Sequence, residues 1–154
     1  MTRKIPESAI ELIKRKEGFK AKKYKCPAGY WTIGFGHKIQ EGEIFKEPMT
    51  PQFADNLMRT EAQYFADGVD RLVKVHLTDN QFTALLSFVY NFGLGQFKTS
   101  TLLKKLNDGK YLSAANELDR WVYADGKRSD GLIERRKEEK ELFLSGVKEM
   151  EGSV

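Results

Sequence analysis

The sequence contains few of the residues on which disulfide-bonded, metal-binding and membrane proteins depend. Its 154 residues include one cysteine and two histidines. One cysteine cannot form an intramolecular disulfide, and neither His37 nor His76 stands in a metal-binding spacing such as H-E-x-x-H. No apolar run reaches the roughly 18 residues of a membrane span, and the start of the chain lacks the apolar segment of a secretory signal. We therefore expect a chain made in the cytoplasm that uses no metal or organic cofactor.

Composition limits the size of the protein and the charge of its partner. Hydrophobic residues make up 40% and charged residues 31% of the chain, which is ordinary for a soluble protein. At this length we expect one domain spanning 1–154. The net charge of +4 favours an anionic partner such as a bacterial cell wall or a nucleic acid, although a basic surface can also serve solubility alone.

Glu17 has an unusual position at the end of the first predicted helix. An S-x-x-E capping box begins at Ser8, Glu17 continues the apolar stripe of Ile10 and Ile13, and Gly18 is a residue type at which helices end. The negative end of the helix dipole and partial burial both disfavour an ionised carboxyl group. A general acid working near neutral pH requires such an environment. The alternative is a glutamate that frays into solvent at a helix end.

Two more residues capable of chemistry follow Glu17 in the spacing E-x8-C-x5-T. Aromatic and β-branched residues dominate this region, and Gly29 supplies a turn, so we predict two short strands. Alternation along the second strand places Thr32 on the face opposite Trp31, where its hydroxyl can hold a water. Trp31 is either a core residue or a platform on which a sugar stacks.

Cys26 lies next to the predicted turn and admits two interpretations. In the structural interpretation it is a small apolar core residue, which is what most free cysteines are. In the other, neighbouring lysines (Lys22, Lys23 and Lys25) lower the pKa of the thiol and make it a base or nucleophile.

The stretch from Glu17 to His37 resembles the catalytic segment of bacteriophage lysozymes, the muramidases also called endolysins. That family's pattern is Glu, eight residues, Asp or Cys, five residues and Thr, followed by I-G-x-G-H, and every position is matched. Further family motifs follow in order: Q-x-x-A-L-x-S-F-x-x-N-x-G from Gln81 to Gly93, S-T-L-L-x-x-L-N from Ser100 to Asn107, and G-L-x-x-R-R-x-x-E from Gly131 to Glu139.

The resemblance implies an α+β, lysozyme-like fold and an enzyme that hydrolyses the β-1,4 bond between N-acetylmuramic acid and N-acetylglucosamine in peptidoglycan. Glu17, Cys26 and Thr32 would be catalytic, with Cys26 standing where most members carry Asp. Arg135 would form an ion pair with Glu17. The residues that would bind substrate are Tyr90, Asn91, Thr101 and Asn116.

The resemblance also implies a biological setting, which is host-cell lysis at the end of phage infection. The enzyme would wait in the host cytoplasm until a separate phage membrane protein, a holin, lets it reach the cell wall. We expect a monomer without stable membrane association and without nucleic acid.

The rest of the chain predicts two lobes. A β-rich lobe would span 17–50, a linking helix 51–76, and a helical lobe 1–16 plus 77–149. Thr50 is a predicted N-cap for a helix to about Val75, and a capping box at Thr78 predicts a second helix to Gly93. Further helices are predicted over 99–107 and 112–123. A polar loop over 124–131 then leads to a last helix over 132–144.

Two further residues that can carry charge, His37 and Arg136, also receive predictions. His37 follows the predicted strands and is expected to pair with an acid such as Asp70. Arg136 is expected to be a solvated surface charge.

Two functions from other classes stay open. One is a cell-wall or polyanion binding module that has lost catalysis through the change from Asp to Cys. The other is nucleic-acid binding through the basic surface, which is disfavoured because the aromatic residues follow strand and core spacing.

Overall fold

Seven α-helices and two small antiparallel sheets make up residues 3–146, the part of the chain that the computed structural model describes. The helices are α1 (Glu7–Glu17), α2 (Pro51–Leu72), α3 (Asp79–Phe92), α4 (Leu94–Lys98), α5 (Thr101–Asn107), α6 (Tyr111–Glu117) and α7 (Asp130–Leu144). The strands are β1 (Lys20–Lys25), β2 (Trp31–Gly34), β3 (His37–Lys38), β4 (Tyr123–Ala124) and β5 (Lys127–Arg128). The predicted α+β class is confirmed, and residues 1–2 and 147–149 of the predicted helical lobe lie outside the described part.

The predicted hairpin around Gly29 is present as β1 and β2, with β3 added beside β2. Tyr24 stands opposite Thr32, and Lys25 stands opposite Trp31. Thr32 is 3% exposed and Trp31 48% exposed, but exposure does not alternate along β2, because Ile33 is also fully buried.

Capping residues set the starts of the two long helices as the sequence predicts. The Thr50 hydroxyl accepts a hydrogen bond from the Phe53 N–H at the start of α2, and Thr78 forms a complete capping box with Gln81 at the start of α3. Helix α2 ends at Leu72 rather than near position 75. Among residues 3–146, no helix combines the length and apolarity needed to cross a bilayer.

The predicted capping box at Ser8 is wrong. Helix α1 begins at Glu7 with Pro6 as its N-cap residue, and no side chain caps it. Ser8 therefore lies inside the first helical turn and is exposed. The fixed φ of proline suits a helix start, which is why the helix begins earlier than the S-x-x-E pattern indicates.

The region after α3 is more finely divided than predicted. A short helix, α4, follows Gly93 directly, α5 begins at Thr101, and the predicted helix over 112–123 ends in a single 3-10 turn, Leu118–Arg120. The predicted polar loop contains the β4–β5 hairpin, and α7 begins at Asp130. Asp125 and Gly126 both adopt positive φ angles in its turn, as an Asp-Gly pair between strands favours.

Hydrophobic side chains form two clusters that lie on either side of the candidate site. The larger surrounds α3, which is buried at every position from Gln81 to Tyr90. The smaller consists of Ile33, Met49 and Ala54 with partly buried aromatic and aliphatic neighbours. The sheet that carries Thr32 is thus supported by a small core of its own.

Candidate active site

The carboxyl group of Glu17 is held at the last residue of α1, where Gly18 ends the helix with a φ of 70°. Its side chain is 17% exposed, and its Oε2 lies 2.7 Å from Nη1 of Arg135. On the other side it packs against the backbone of Gly36, so closely that a Cβ there would lie 2.3 Å from Oε1. The carboxyl group is therefore fixed between a cation and a turn of the small sheet.

The turn between β2 and β3 is anchored to the helical part of the molecule as well as to Glu17. The Tyr90 hydroxyl of α3 donates to the carbonyl of Phe35 at 2.8 Å. The next residue, Gly36, has a φ of 74°, a conformation that favours glycine. Tyr90 thereby secures the piece of backbone on which the Glu17 carboxyl rests.

Arg135 connects Glu17 to the buried core between α3 and α7. Its Nη2 donates to the backbone carbonyl of Ser87 at 3.0 Å, and its Nε lies 3.4 Å from the Ser87 hydroxyl and from Glu139 Oε2. The predicted contact between Arg135 and Glu17 is thus present, across 118 positions of sequence.

Arg136 is buried, and its expected surface position is wrong. Its side chain is 1% exposed and forms two hydrogen bonds with Glu139, of 2.6 Å from Nε and 2.9 Å from Nη2. Glu139 also accepts a 2.5 Å hydrogen bond from Ser87. The guanidinium lies 5.1 Å from the ring centroids of Phe88 and Phe92. A fully buried charge needs partners on all sides, and these residues provide them.

Cys26 lies at the end of the hairpin, and its pKa is lowered from the usual thiol value. Burial acts to raise this pKa, but hydrogen bonds with the Tyr30 backbone, the Thr32 side chain and the Ala28 backbone outweigh it, with a Coulombic contribution from Lys38. The cation that acts on the sulfur is therefore on β3 rather than among the neighbouring lysines of β1.

Thr32 is the residue that connects the sulfur to the sheet. Its hydroxyl donates to the Tyr30 carbonyl at 3.0 Å and is also within hydrogen-bonding reach of Cys26. A hydroxyl has one proton to donate and two lone pairs. The Thr32 hydroxyl can therefore donate to the Tyr30 carbonyl or to the Cys26 sulfur, but not to both at once. Its free acceptor positions suit a water molecule or a substrate hydroxyl.

Tyr24 is a site residue that the sequence reasoning missed. It stands opposite Thr32 on β1, and its pKa is raised by burial, by the charge of Glu17 and by the charge of Cys26. The charges of both groups therefore act on the same phenol. The signal was available, because Tyr24 and Cys26 are two positions apart and side chains two apart in a strand share a face.

His37 pairs with two glutamates, and the expected pairing with Asp70 is wrong. Its Nδ1 lies 2.5 Å from Glu61 of α2, and its Nε2 lies 2.9 Å from Glu43. Burial lowers the pKa of His37, but hydrogen bonds to both carboxylates raise it above the usual value overall. The linking helix presents Glu61 rather than Asp70 to the turn, which sequence spacing alone does not reveal.

The four residues expected to bind substrate have different environments. Tyr90 is 8% exposed, and its hydroxyl is engaged by the Phe35 carbonyl. The side-chain oxygen of Asn91 is buried without a hydrogen-bond partner among the described residues. Thr101 and Asn116 are exposed on α5 and α6. Their binding role stays a prediction.

The arrangement supplies one carboxyl group that can donate a proton and, on the sheet, one sulfur that can act as base or nucleophile. Glu17 is held by Arg135 and Gly36, and Cys26 by Thr32. Within residues 3–146, no three His, Cys, Asp or Glu side chains converge where a metal ion could bind. A proton donor and a second group that acts as base or nucleophile are the groups that acid-assisted cleavage of a glycosidic bond requires.

Comparisons with known proteins identify the family of the chain. The family model described as Phage lysozyme matches residues 14–139. The endolysin of Bacillus phage B103 is 44% identical over 147 residues, which cover 92% of this chain and 54% of that protein. The chain thus spans about half the length of the Bacillus phage endolysins that it matches.

Two other relatives match over almost their whole length. The endolysin of Acyrthosiphon pisum secondary endosymbiont phage 1 is 42% identical over 147 residues, covering 92% of this chain and 98% of that one. The solved muramidase domain of SpmX from Asticaccaulis excentricus superposes with a TM-score of 0.81 at 36% identity, covering 92% of this chain and 98% of that domain. The chain therefore belongs to the phage lysozyme family and has its lysozyme-like α+β fold.

Proposed function

We propose that this chain is an endolysin, a glycosidase that hydrolyses the β-1,4 bond between N-acetylmuramic acid and N-acetylglucosamine in bacterial peptidoglycan. The observation that carries the proposal is the placement of the Glu17 carboxyl group, held by Arg135 and by the backbone of Gly36 beside the face of the sheet that bears Thr32. The family membership and the endolysin relatives support the same reaction.

In the proposed mechanism Glu17 protonates the oxygen of the leaving sugar as the bond breaks. Cys26 acts on the opposite side of the ring, where a second group activates water or attacks the sugar. The lowered pKa of its thiol favours the thiolate that either role needs. Thr32 positions the water or substrate through the acceptor positions of its hydroxyl.

The remaining proposals concern the setting in which the enzyme works. The two hydrophobic clusters support one domain with two lobes, and the cleft between them would hold Tyr90 and Asn91, with Thr101 and Asn116 at its margin. We infer that a monomer accumulates in the host cytoplasm, requires a separate holin to reach the cell wall, and lyses the host for phage release.

The test of the reaction is mass spectrometry of digested peptidoglycan. We expect fragments with reducing-end muramic acid from the wild type, and a loss of about 10²-fold or more in rate for Glu17→Gln, the loss expected when a general acid is removed. Anhydro-muramic products would show a transglycosylase instead. A wall suspension that stays cloudy while the protein binds it would show a binding module.

The role of Cys26 is tested by two substitutions at the same position. We expect Cys26→Ala to lose activity and Cys26→Asp to retain it, with the acidic limb of its pH profile shifted to lower pH because an aspartate ionises well below a thiol. Clearing of outer-membrane-permeabilised cells measured across pH provides both readouts. An active Cys26→Ala variant removes the sulfur from the mechanism.

A further inference from the structure

One face of the three-stranded sheet carries an exposed aromatic side chain that the proposed reaction does not use. In the register of the sheet, Lys25 stands opposite Trp31 and Tyr24 opposite Thr32. Because side chains alternate between the faces of a sheet, Trp31 and Lys25 share one face, whereas Thr32 and Tyr24 share the other. Trp31 therefore points away from the candidate catalytic side chains.

Trp31 is open to solvent and bordered by ammonium groups. It is 48% exposed, and the Nζ atoms of Lys23 and Lys25 lie 5.4 and 5.6 Å from its ring centroid. Next to it is a shallow cavity of about 330 Å³, whose lining includes Ile44, an aliphatic side chain that is 94% exposed. We call Trp31, Lys23, Lys25 and Ile44 the Trp31 surface.

The charge of this region is strongly one-sided. The strands β1 to β3 contain five lysines and no acidic residue: Lys20, Lys22, Lys23, Lys25 and Lys38. None of the five forms an ion pair with a residue between 3 and 146. The lysines of β1 are exposed, so their ammonium groups are available to an anionic ligand.

Three carboxylates line the cavity, and two of them already have partners. Glu43 is held by His37, and Glu47 accepts the backbone N–H of Lys23 at 2.9 Å. Glu41 is the third. A ligand that carries both hydroxyl and carboxylate groups suits this mixed lining beside a cationic sheet better than a uniformly charged polyphosphate does.

We propose that the Trp31 surface is a second binding site for the peptidoglycan glycan, separate from the place where the bond is cleaved. This inference rests on the proposed function. A pyranose ring stacks its apolar face on the exposed indole, and free carboxylates of the peptide stems attached to muramic acid pair with Lys23 and Lys25. The cation–π contacts of these flexible, exposed lysines are weak, so the ammonium groups can leave the ring for carboxylates.

A second site on the same polymer keeps the enzyme on its substrate between cleavages. When one site is bound, the other meets the glycan at a high effective concentration, so that two weak contacts retain the protein more strongly than either alone. The effect is confined to chains long enough to reach both faces of the sheet. Activity on intact wall therefore depends on both sites, whereas activity on short soluble fragments depends on the catalytic site alone.

The experiment measures retention on purified sacculi from which secondary anionic polymers have been removed, with every protein carrying Glu17→Gln so that the wall stays intact. We expect Trp31→Ala, and separately Lys23→Gln with Lys25→Gln, to raise the apparent Kd by about tenfold or more. The matched controls are Tyr64→Ala, an aromatic on α2 that is 68% exposed, and Lys104→Gln with Lys110→Gln, two exposed lysines of the helical region.

A second measurement uses the active enzyme and compares the rate on intact sacculi with the rate on short soluble oligosaccharides. We expect the ratio of the two rates to fall several-fold in the Trp31 and lysine variants and to stay unchanged in the controls. Thermal unfolding identifies a Trp31→Ala protein that has not folded, in which case the lysine pair decides the outcome.

Three results would overturn the inference. One is equal retention of the Trp31 surface variants and their controls. Another is a loss of retention only on walls that still carry secondary anionic polymers, since those polymers would then be the ligand. The third is an unchanged ratio of the two rates. A wild type that releases no reducing-end muramic acid, yet is retained through Trp31, would instead refute the proposed reaction alone.

Discussion

The charged residues behind Glu17 are sealed in the helical core, whereas those around His37 in the small sheet stay partly open to solvent. The side chains of Arg135, Arg136 and Glu139 are 7%, 1% and 0% exposed. Around His37, itself 9% exposed, the carboxylate side chains of Glu43 and Glu61 are 35% and 26% exposed.

This difference decides what happens when one partner is removed. In the buried network the remaining charge cannot reach water, so its desolvation is uncompensated. In the sheet cluster the remaining group can hydrate, and the loss is small. We therefore expect substitutions in the buried network to cost more stability than substitutions in the sheet cluster.

The largest effect on stability should come from Arg136→Ala, which leaves the fully buried Glu139 without its bidentate partner. We expect a loss of about 3–5 kcal/mol in the free energy of unfolding, measured by urea denaturation. Arg15→Ala is the control, because Arg15 pairs with Glu138 at the surface and such pairs contribute at most about 1 kcal/mol. Equal losses would contradict the contrast between buried and open networks.

The next effect concerns the turn on which the acid rests. Gly36→Ala would place a methyl group 2.3 Å from the Glu17 carboxyl oxygen, and displacing a catalytic group by about 1 Å can reduce activity by about 10²-fold. The control is Gly109→Ala, which has a similar φ of 80° but no atom within 4 Å of the added Cβ. Both variants should lose some stability from backbone strain, and lysis assays should show the large activity loss in Gly36→Ala alone.

A smaller effect is expected for Tyr90→Phe, which removes the hydrogen bond between α3 and the Phe35 carbonyl. The stability loss should be about 1 kcal/mol, the contribution of one hydrogen bond, and the rate should fall a few-fold because the turn beneath Glu17 is less firmly held. Tyr64→Phe, at an exposed site, is the control. If Tyr90 bound substrate directly, KM would rise while kcat and stability stayed the same.

The smallest effect is the pH dependence of the stability that His37, Glu43 and Glu61, the His37 cluster, contribute to the fold. The pKa of His37 is raised above 6.5 in the folded protein, so its stabilisation is complete below that value and is lost as pH rises through the folded pKa. The pKa of Glu43 is lowered, first by a backbone hydrogen bond from Gln40 and also by His37. Its contribution is complete above 4.5 and is lost as pH falls through the folded pKa.

Thermal unfolding measured from acid to alkaline pH checks this prediction. Both contributions are complete between 4.5 and 6.5, and His37→Gln should lower the Tm most within that window. His76→Gln, outside the cluster, is the control. A His37 effect that grew with rising pH would show that the ion pairs do not stabilise the fold.

Several local patterns proved accurate, although the capping box at Ser8 did not. The Thr78 capping box, the hairpin around Gly29 and the end of α3 at Gly93 all follow from residues within a few positions of one another. The β4–β5 hairpin was missed although Asp125-Gly126 marks its turn, because its two-residue strands are too short to show alternation.

The burial and the partners of charged side chains were harder to predict from the sequence than the helices and strands. The burial of Arg136 and the choice of Glu61 rather than Asp70 for His37 depend on which helix faces which. Nothing in the periodicity of α7 marks Arg136 as internal, because a charged residue normally indicates a solvated position. Glu139 lies three residues on in α7 itself, but only the packing of α3 against α7 brings the rings of Phe88 and Phe92 to the guanidinium.

The sequence alone determined the spacing of Glu17, Cys26 and Thr32, the helix that ends at the acid, and the hairpin whose turn follows Cys26 and whose second strand carries Thr32. These depend on local backbone preferences, which short stretches of chain encode. Only the tertiary structure decided what surrounds them: Arg135 reaches Glu17 across 118 positions, and Gly36 meets its carboxyl group through a turn held by Tyr90. Such contacts follow from the packing of distant elements around a shared core, and that packing is a property of the whole chain.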